Sequence, residues 1–399
     1  MRTIAGVKTL TSNQRKMDIS EFFQTKFNCA PAAVAQAPGR LEFIGNHVDY
    51  NKGLVMGVAI DKHISVAVSL RDDDEIHMAS AGLNAAGTIH LDEVRLQKGA
   101  KSFMNYPLGV FEMLRKAGMK AERGFNLADS STVPTGAGVS SSAAIELATA
   151  YALCKIYEFP LSKIELVRTS QKAENIFVGM PCGILDQGVS GFGEKDAIVR
   201  IDCKTEMFST LPIPAGTVFW VFNSMVKHAL VAGDYAKRHA SCMAAAAEIG
   251  KYNHAIRCLA DATPSAVEAC RSKLSEEDYK RAMHVVSENA RVVEMEHALE
   301  VGDLDAVGCL LKASHASSRD LFENSCPEID FLVDSLSRQP NVYGARLSGG
   351  GFGGISIALT SAAFSEAQAE QVADAFEAKF GKRPKYFKTT IGAGARLIG

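Results

Sequence analysis

At residues 133–148 the sequence reads VPTGAGVSSSAAIELA. Val133 is followed by a proline, which pushes it out of the α region and marks the end of an extended piece. Gly136 and Gly138 then permit sharp bends. Ser140, Ser141 and Ser142 run directly into Ala-Ala-Ile-Glu-Leu-Ala, a strong helix-forming run. A glycine turn opening a helix points free N–H groups and the positive end of the helix dipole at one spot, which favours an anion. A helix cap needs one hydroxyl, so three in a row leave two without that job. Simple capping and a phosphate cradle both stay open at this point. A serine here could also reach a magnesium ion held by phosphates.

The rest of the chain bounds the class. At 399 residues it exceeds one ordinary core, so two domains of about 200 residues are expected. Hydrophobic residues at 47% with 22% charged are those of a soluble globular protein. A net charge of −2 argues against a nucleic-acid partner, which would call for a basic excess. The nine cysteines show no CxxC pair and no zinc-finger spacing, which fits reduced thiols in a cytoplasmic protein. The opening MRTIAGVKTLTSNQRKMDIS lacks the apolar core of a secretory signal. No apolar run approaches the ~18 residues of a membrane span, so no membrane partner is expected.

Along the chain, LVMGVAIDKHISVAVSL (Leu54–Leu70) alternates at Ile64, Val66 and Val68 and predicts one or two strands. Asn105–Ala117 and Ser142–Tyr157 predict helices. AIVRID and VFWVFN predict strands, with CKTEMFSTLPIPAGT between them as a connector. The domain boundary is placed near that connector, dividing the chain into residues 1–210 and 211–399. Tyr235–Ser337 is mostly helical, with Ala282, Val286, Ala290 and Val293 spaced for one helix face. YGARLS, GISIALT and AAFSEAQAEQVADAFEAKF then predict strand, strand and helix. Strands and helices mix without steady alternation, so the class is α+β.

Other polar and glycine-rich stretches carry candidate chemistry. GGGFGG (Gly349–Gly354) satisfies GxGxxG in letters, but a strand follows where a dinucleotide site needs a helix. A tight hairpin and a close approach to ligand are its two open readings. APGRLEFIGNHVDYNKG (Ala37–Gly53) interleaves Arg40, Glu42, Asn46, His47, Asp49, Tyr50 and Asn51 with Leu41, Phe43 and Ile44. Donors and acceptors beside buried groups suit a sugar, and a capped helix start with solvated charges is the plainer alternative. QKAENIFVGMPCGILDQGVSGFG (Gln171–Gly193) puts Glu174 at the end of a helical stretch and Asp186 in a Gly/Pro-flanked loop. One carboxylate on a metal and one beside the nucleophile is a common division in phosphoryl transfer. Cys182 is read as a packed thiol with no chemical role.

GRLEFIGNHVDYNKG, PTGAGVSSSAA and LSGGGFGG, in that order, with AENIFVGMPCGILDQ between the last two, resemble the motifs of the GHMP kinases and, within them, the galactokinases. The likeness extends from FFQTKFNCAPAAVAQAPGR to the terminal GAGARLIG. It implies a two-domain GHMP kinase fold, with an N-terminal ribosomal-protein-S5-like domain, a C-terminal ferredoxin-like domain and the active site between them. It also implies transfer of phosphate from ATP, with Mg2+, to the anomeric hydroxyl of a hexose.

By resemblance, Asp186 matches the base and Arg40 the arginine that steadies charge. Ser142 and Glu174 match magnesium ligands. Pro134, Gly136, Ala137, Gly138, Val139, Ser140, Ser141 and Ser142 match the ATP loop, and Phe103 of SFMNY an aromatic residue against adenine. Asn46, His47, Asp49, Gly183 and Tyr235 match the sugar side. Galactokinases usually read GRVNLIGEHTDYN, so Glu42 stands for the usual Asn, and Asn46 for a Glu that contacts the sugar, commonly at the 6-hydroxyl. An amide can still bond a hydroxyl but loses the charge-assisted bond. Galactose is the first expectation, and N-acetylgalactosamine or another hexose comes next. A kinase for mevalonate or homoserine fits the HVDYN and PCGILDQ strings less well. A silent sugar sensor would be expected to have a damaged serine motif or base, and both are intact.

Overall fold

The computed structural model describes residues 18–134, 136, 138–227 and 231–398. The opening residues read above for a secretory signal fall largely outside it, and so does Ala137 of the ATP loop.

The first half builds an eight-stranded sheet. β1 (Ala33–Ile44) and β2 (Leu54–Leu70) pair antiparallel at its centre. β3 (Glu75–Ser80), β4 (Ala85–His90) and β5 (Phe125–Ser131) extend it in the order β1-β2-β5-β3-β4, where only β3 and β5 run parallel. β6 (Ala197–Asp202) joins the start of β2, and β7 (Met207–Pro212) pairs with β6. The segment expected to be a bare connector therefore carries a strand, because Phe208 and Leu211 reach the core while Met207 and Ser209 face outward. β2 is one strand of 17 residues, buried at both ends and more open around Asp61–His63.

Helices α1 (Ile19–Phe27), α2 (Asn105–Lys116), α3 (Ser141–Ile156), α4 (Lys163–Lys172) and α5 (Leu185–Phe192) belong to this half. α3 packs on β1 and β2 through Ala143, Ala144, Leu147 and Ala148, whose small side chains let it lie close to the sheet. Asp186 sits in the first turn of α5 rather than in a loop. The Pro181 and Gly183 breakers end just before the helix begins.

The second sheet holds β8 (Thr217–Lys227), β9 (Val342–Ser348), β10 (Gly353–Ser361) and β11 (Lys385–Thr389) in the order β11-β8-β10-β9, all antiparallel neighbours. β10 thus splits β8 from β9, which is the ferredoxin-like order. α6 (Val231–Tyr252), α7 (Pro264–Ala269), α8 (Glu276–Glu300), α9 (Leu304–Ser317) and α10 (Pro327–Ser337) separate β8 from β9, and α11 (Glu366–Phe380) follows β10. A final strand, β12 (Arg396–Leu397), returns to the edge of β1.

The buried face of α8 differs from the predicted stripe. Ala282 and Val286 are buried, whereas Ala290 is exposed and Val293 is 52% exposed. Successive steps of four residues rotate each position about 40° off the face. Val292, Met295 and Leu299 therefore take over the contact.

Candidate active site

Two cavities lie on either side of the Ser140–Asp186 contact. The smaller, about 130 Å³, is lined by Arg40, Glu42, Asn46, His47, Asp49 and Asp186 together with Gly183, Tyr235, Gly349 and Gly350. The larger, about 630 Å³, is lined by Phe103, Tyr106, Asp129, Pro134, Gly136 and Gly138 through Ser142. Arg40 grips Asp186 with two parallel bonds, Nε to Oδ1 at 2.6 Å and Nη2 to Oδ2 at 2.8 Å. Its remaining arm donates to the Gly138 carbonyl at 3.3 Å. Burial disfavours the Arg40 charge, yet the Asp186 carboxylate beside it holds the guanidinium above its ordinary value. The Ser140 hydroxyl, from the larger cavity, donates to Asp186 Oδ2 at 2.5 Å. A carboxylate so placed can take a proton from a hydroxyl in one cavity while phosphate sits in the other.

Ser140 speaks against simple capping as the role of the glycine–serine loop. It stands at the start of α3 in a left-handed conformation (φ 52°), and its side chain makes no cap bond. The hydroxyl faces Asp186 instead, so simple capping is not its job. Gly136 (φ 68°) and Gly138 (φ 70°) take the conformation that glycine tolerates. The loop is held from both sides, by Arg40 N–H on the Val139 carbonyl at 3.0 Å and Asn223 Nδ2 on the Gly136 carbonyl at 2.7 Å. Ser141 opens α3 and is exposed at the larger cavity, which half-buried Pro134 lines at the other end of the loop.

Ser142 lies beside the Glu174 carboxylate and opposes its shift, while burial and then nearby Asp186 push that carboxylate above its usual range. α4 continues into a π-helical turn at Ala173–Val178, and that wider turn carries Glu174. Gln187 Nε2 donates to Glu174 at 2.7 Å and to Glu146 at 3.0 Å, so one amide ties two carboxylates together. Glu146 is fully buried and its Oε1 has no hydrogen-bond partner. Magnesium bound with phosphates takes one or two protein oxygens and keeps waters elsewhere. The Ser142 hydroxyl and Glu174 fit that need, and Glu146 adds negative charge behind them. Among the described residues no group of three His, Cys, Asp or Glu forms a protein cage. Cys182 is a packed thiol, bonded to Glu174 at 3.6 Å, and burial pushes its pKa upward.

The smaller cavity holds the other expected residues, though not all with free polar atoms. Asn46 is fully buried. Its Nδ2 donates to Glu42 Oε1 at 2.8 Å and to the Gly349 carbonyl at 2.9 Å. Its Oδ1 accepts from Asn324 at 2.9 Å and Ser318 at 3.3 Å. Two donors and two acceptor positions are the whole capacity of an amide. His47 is similarly engaged, with Nε2–H donating to the Gly350 carbonyl at 3.1 Å and Nδ1 accepting from Tyr50 at 3.0 Å. Burial lowers its pKa to about 3, so the ring is neutral.

Asp49 keeps its carboxylate against Gly183, where a Cβ would fall 1.6 Å from Oδ2. Burial raises its pKa to about 7. Tyr235 closes the cavity, its ring 5.2 Å from that of His47.

GGGFGG is the tight hairpin of its first reading. It joins β9 to β10 as a hairpin, with Gly349 (φ 84°), Gly351 (φ 82°) and Phe352 (φ 56°) left-handed. It also presents Gly349 and Gly350 to the cavity, anchored by the side chains of the first motif.

Several residues escaped the sequence reading. Glu146 had one visible signal, a lone acid inside an otherwise apolar helix. Arg346 is fully buried, bonding Glu42 Oε1 and the Phe43 carbonyl at 3.0 Å each. Glu288 receives the Gly45 N–H at 3.1 Å, and Arg291 and Arg346 hold it near 2 despite burial. Tyr106 and Asp129 join Phe103 in the larger cavity.

Comparison with known proteins identifies the family. Models for the GHMP kinases N terminal domain, the galactokinase galactose-binding signature and the GHMP kinases C terminal match residues 105–194, 21–70 and 295–382. A galactokinase of Streptomyces coelicolor is 38% identical over 95% of this chain and 98% of its own length. One of Roseiflexus sp. is 36% identical over 92% and 93%. The crystal structure of Lactococcus lactis galactokinase complexed with galactose superposes with a TM-score of 0.89, at 31% identity over 95% of this chain and 98% of that one. A mevalonate kinase at 19% identity and a TM-score of 0.61 shares the fold alone. The chain belongs to the GHMP kinases and, within them, to the galactokinase family.

Proposed function

We propose that this protein transfers the γ-phosphoryl group of ATP to the anomeric hydroxyl of galactose, giving galactose 1-phosphate. The observation that carries this reading is the Arg40–Asp186–Ser140 contact, which joins the two cavities at a single carboxylate. The hexose occupies the smaller cavity with its anomeric hydroxyl toward Asp186. ATP occupies the larger, its base against Phe103 and its phosphates at Gly136, Gly138 and the N–H groups opening α3. Ala137 belongs to the same loop by sequence.

Asp186 accepts the sugar's proton. An anomeric hydroxyl is more acidic than an ordinary alcohol, and in a loose transition state its proton leaves late, which eases the demand on the base. Arg40 fixes the direction of the carboxylate and offers positive charge where phosphoryl charge spreads. Ser142 and Glu174 would hold Mg2+, which would neutralise phosphate charge. Most of the acceleration then comes from positioning and preorganised charge. Asp49 and Tyr235 face the sugar hydroxyls, and Gly183 leaves Asp49 its space. His47 and Asn46 shape the cavity by holding the glycine hairpin.

A division of the chain near residue 210 is supported by the change of sheet between Pro212 and Thr217. No helix among the described residues is long and apolar enough to cross a membrane. All nine cysteines are free, which supports a reducing, cytoplasmic setting.

The test is ADP release from Mg-ATP across a panel of hexoses, with Asp186→Asn as the mechanistic control. The variant is expected to lose orders of magnitude in kcat while keeping sugar affinity. Near-normal turnover would remove Asp186 from the base role. Silence of the wild type with every hexose, alongside measurable sugar binding, would point to a sensor.

A further inference from the structure

The smaller cavity contains a carboxylate oxygen that the protein leaves unused. Glu42 is 6% exposed, yet it lines the cavity. Its Oε1 takes both protein bonds, from Arg346 Nη2 at 3.0 Å and Asn46 Nδ2 at 2.8 Å. No hydrogen bond of the described protein reaches Oε2, and that atom is not among the buried polar atoms sealed away without a partner. The backbone of Glu42 is fixed too, its N–H donating to Ser348 Oγ at 3.1 Å and its carbonyl accepting from the same hydroxyl at 3.0 Å. A buried carboxylate with one free oxygen at a cavity wall is a strong acceptor awaiting a donor. Asn46 beside it has nothing left to offer.

We propose that Glu42 is the residue that selects the sugar, its Oε2 accepting a hydrogen bond from a ring hydroxyl remote from the reacting one. The inference rests on the sugar-kinase reading for the identity of the ligand. Arg40 and Glu42 are two positions apart on β1, so they share a face and their Cα atoms lie about 6.6 Å apart. That step is comparable to the width of a pyranose with its substituents. With Arg40 and Asp186 fixing the anomeric end, Glu42 meets the opposite side of the ring, at carbon 3, 4 or 6. Arg346 and Asn46 hold Oε1 and so aim Oε2. The selected ligand is therefore a hexose with a hydroxyl donor at that place, and an analogue lacking it leaves a buried carboxylate unpaired.

Binding of galactose and its 2-, 3-, 4- and 6-deoxy analogues is measured by titration calorimetry on wild type, Glu42→Gln and Glu42→Asp. The aspartate variant keeps the charge opposite Arg346 and withdraws the oxygen by one methylene, so it decides the matter if the glutamine variant fails to fold. In wild type, one analogue among the 3-, 4- and 6-deoxy sugars is expected to bind about 10- to 150-fold more weakly than galactose. In a folded variant that particular penalty shrinks to about threefold or less, while the other penalties stay. A wild type indifferent to all three deletions overturns the proposal. So does a variant that weakens every sugar by a common factor and keeps the wild-type pattern, the signature of a merely structural role. Because binding is read without turnover, a protein that shows the pattern but phosphorylates no hexose refutes the kinase reading and leaves Glu42 standing.

Discussion

Gly183→Ala tests the smaller cavity with one methyl group. The added Cβ would fall 1.6 Å from Oδ2, 2.3 Å from Cγ and 3.0 Å from Cβ of Asp49. These contacts are well inside van der Waals distance, so the carboxylate must swing out of its place. Gly183 lies in the turn before α5 and has no left-handed backbone to strain, so the effect falls on Asp49 alone. A hydrogen bond to a charged group contributes about 1.5–3 kcal/mol. At 1.4 kcal/mol per tenfold, its loss raises the KM for the sugar by about 10- to 150-fold. KM for ATP and the melting temperature should change little, because the larger cavity is lined by other residues. The assay is coupled ADP release at pH 8, where Asp49 is mostly ionised, comparing wild type, Gly183→Ala, Asp49→Ala and the double variant. If the methyl acts by displacing Asp49, the double variant matches Asp49→Ala, and the two effects fail to add. An unchanged sugar KM in Gly183→Ala would refute Asp49 as a sugar contact. Full additivity would show that the methyl acts through something else.

Two further outcomes follow from the same geometry. Burial raises the Asp49 pKa to about 7, above the ordinary 3.8, so the folded protein binds this proton more tightly than the unfolded chain does. Its contribution to stability therefore falls as pH rises from about 4 through 7, while the ionised acceptor that the sugar uses becomes populated. A plot of kcat/KM for the sugar should rise through a midpoint near pH 7 and level off above about pH 8, and Asp49→Asn should remove that limb; a limb that persists in the variant assigns it to another group. Gln187→Ala releases Glu174 from its bridge to Glu146, and loss of such an outer partner should raise the magnesium concentration for half-maximal activity by about 10- to 100-fold. An unchanged magnesium dependence would mean that Gln187 does not orient Glu174.

What the sequence made legible was mostly backbone chemistry that a local string can hold. The loop at Gly136–Ser142 needs left-handed glycines, a helix start and surplus hydroxyls, and all are written within seven residues. The alternation in Leu54–Leu70 and the glycines of the β9–β10 hairpin are legible for the same reason. The buried partners were not, since they come from far along the chain. Asn46 is bonded by Asn324, 278 positions away, and Glu42 by Arg346, 304 positions away. Neither spacing leaves a periodic trace. Glu42 and Asn46 thus look, as letters, like two separate departures from a motif. In space they form one bonded pair. The amide satisfies itself against the protein, and the acid keeps one oxygen for the cavity. Read position by position, the exchange removes a carboxylate from the sugar side. Read as a pair, it moves that carboxyl group four residues along the chain and keeps one of its oxygens at the cavity wall.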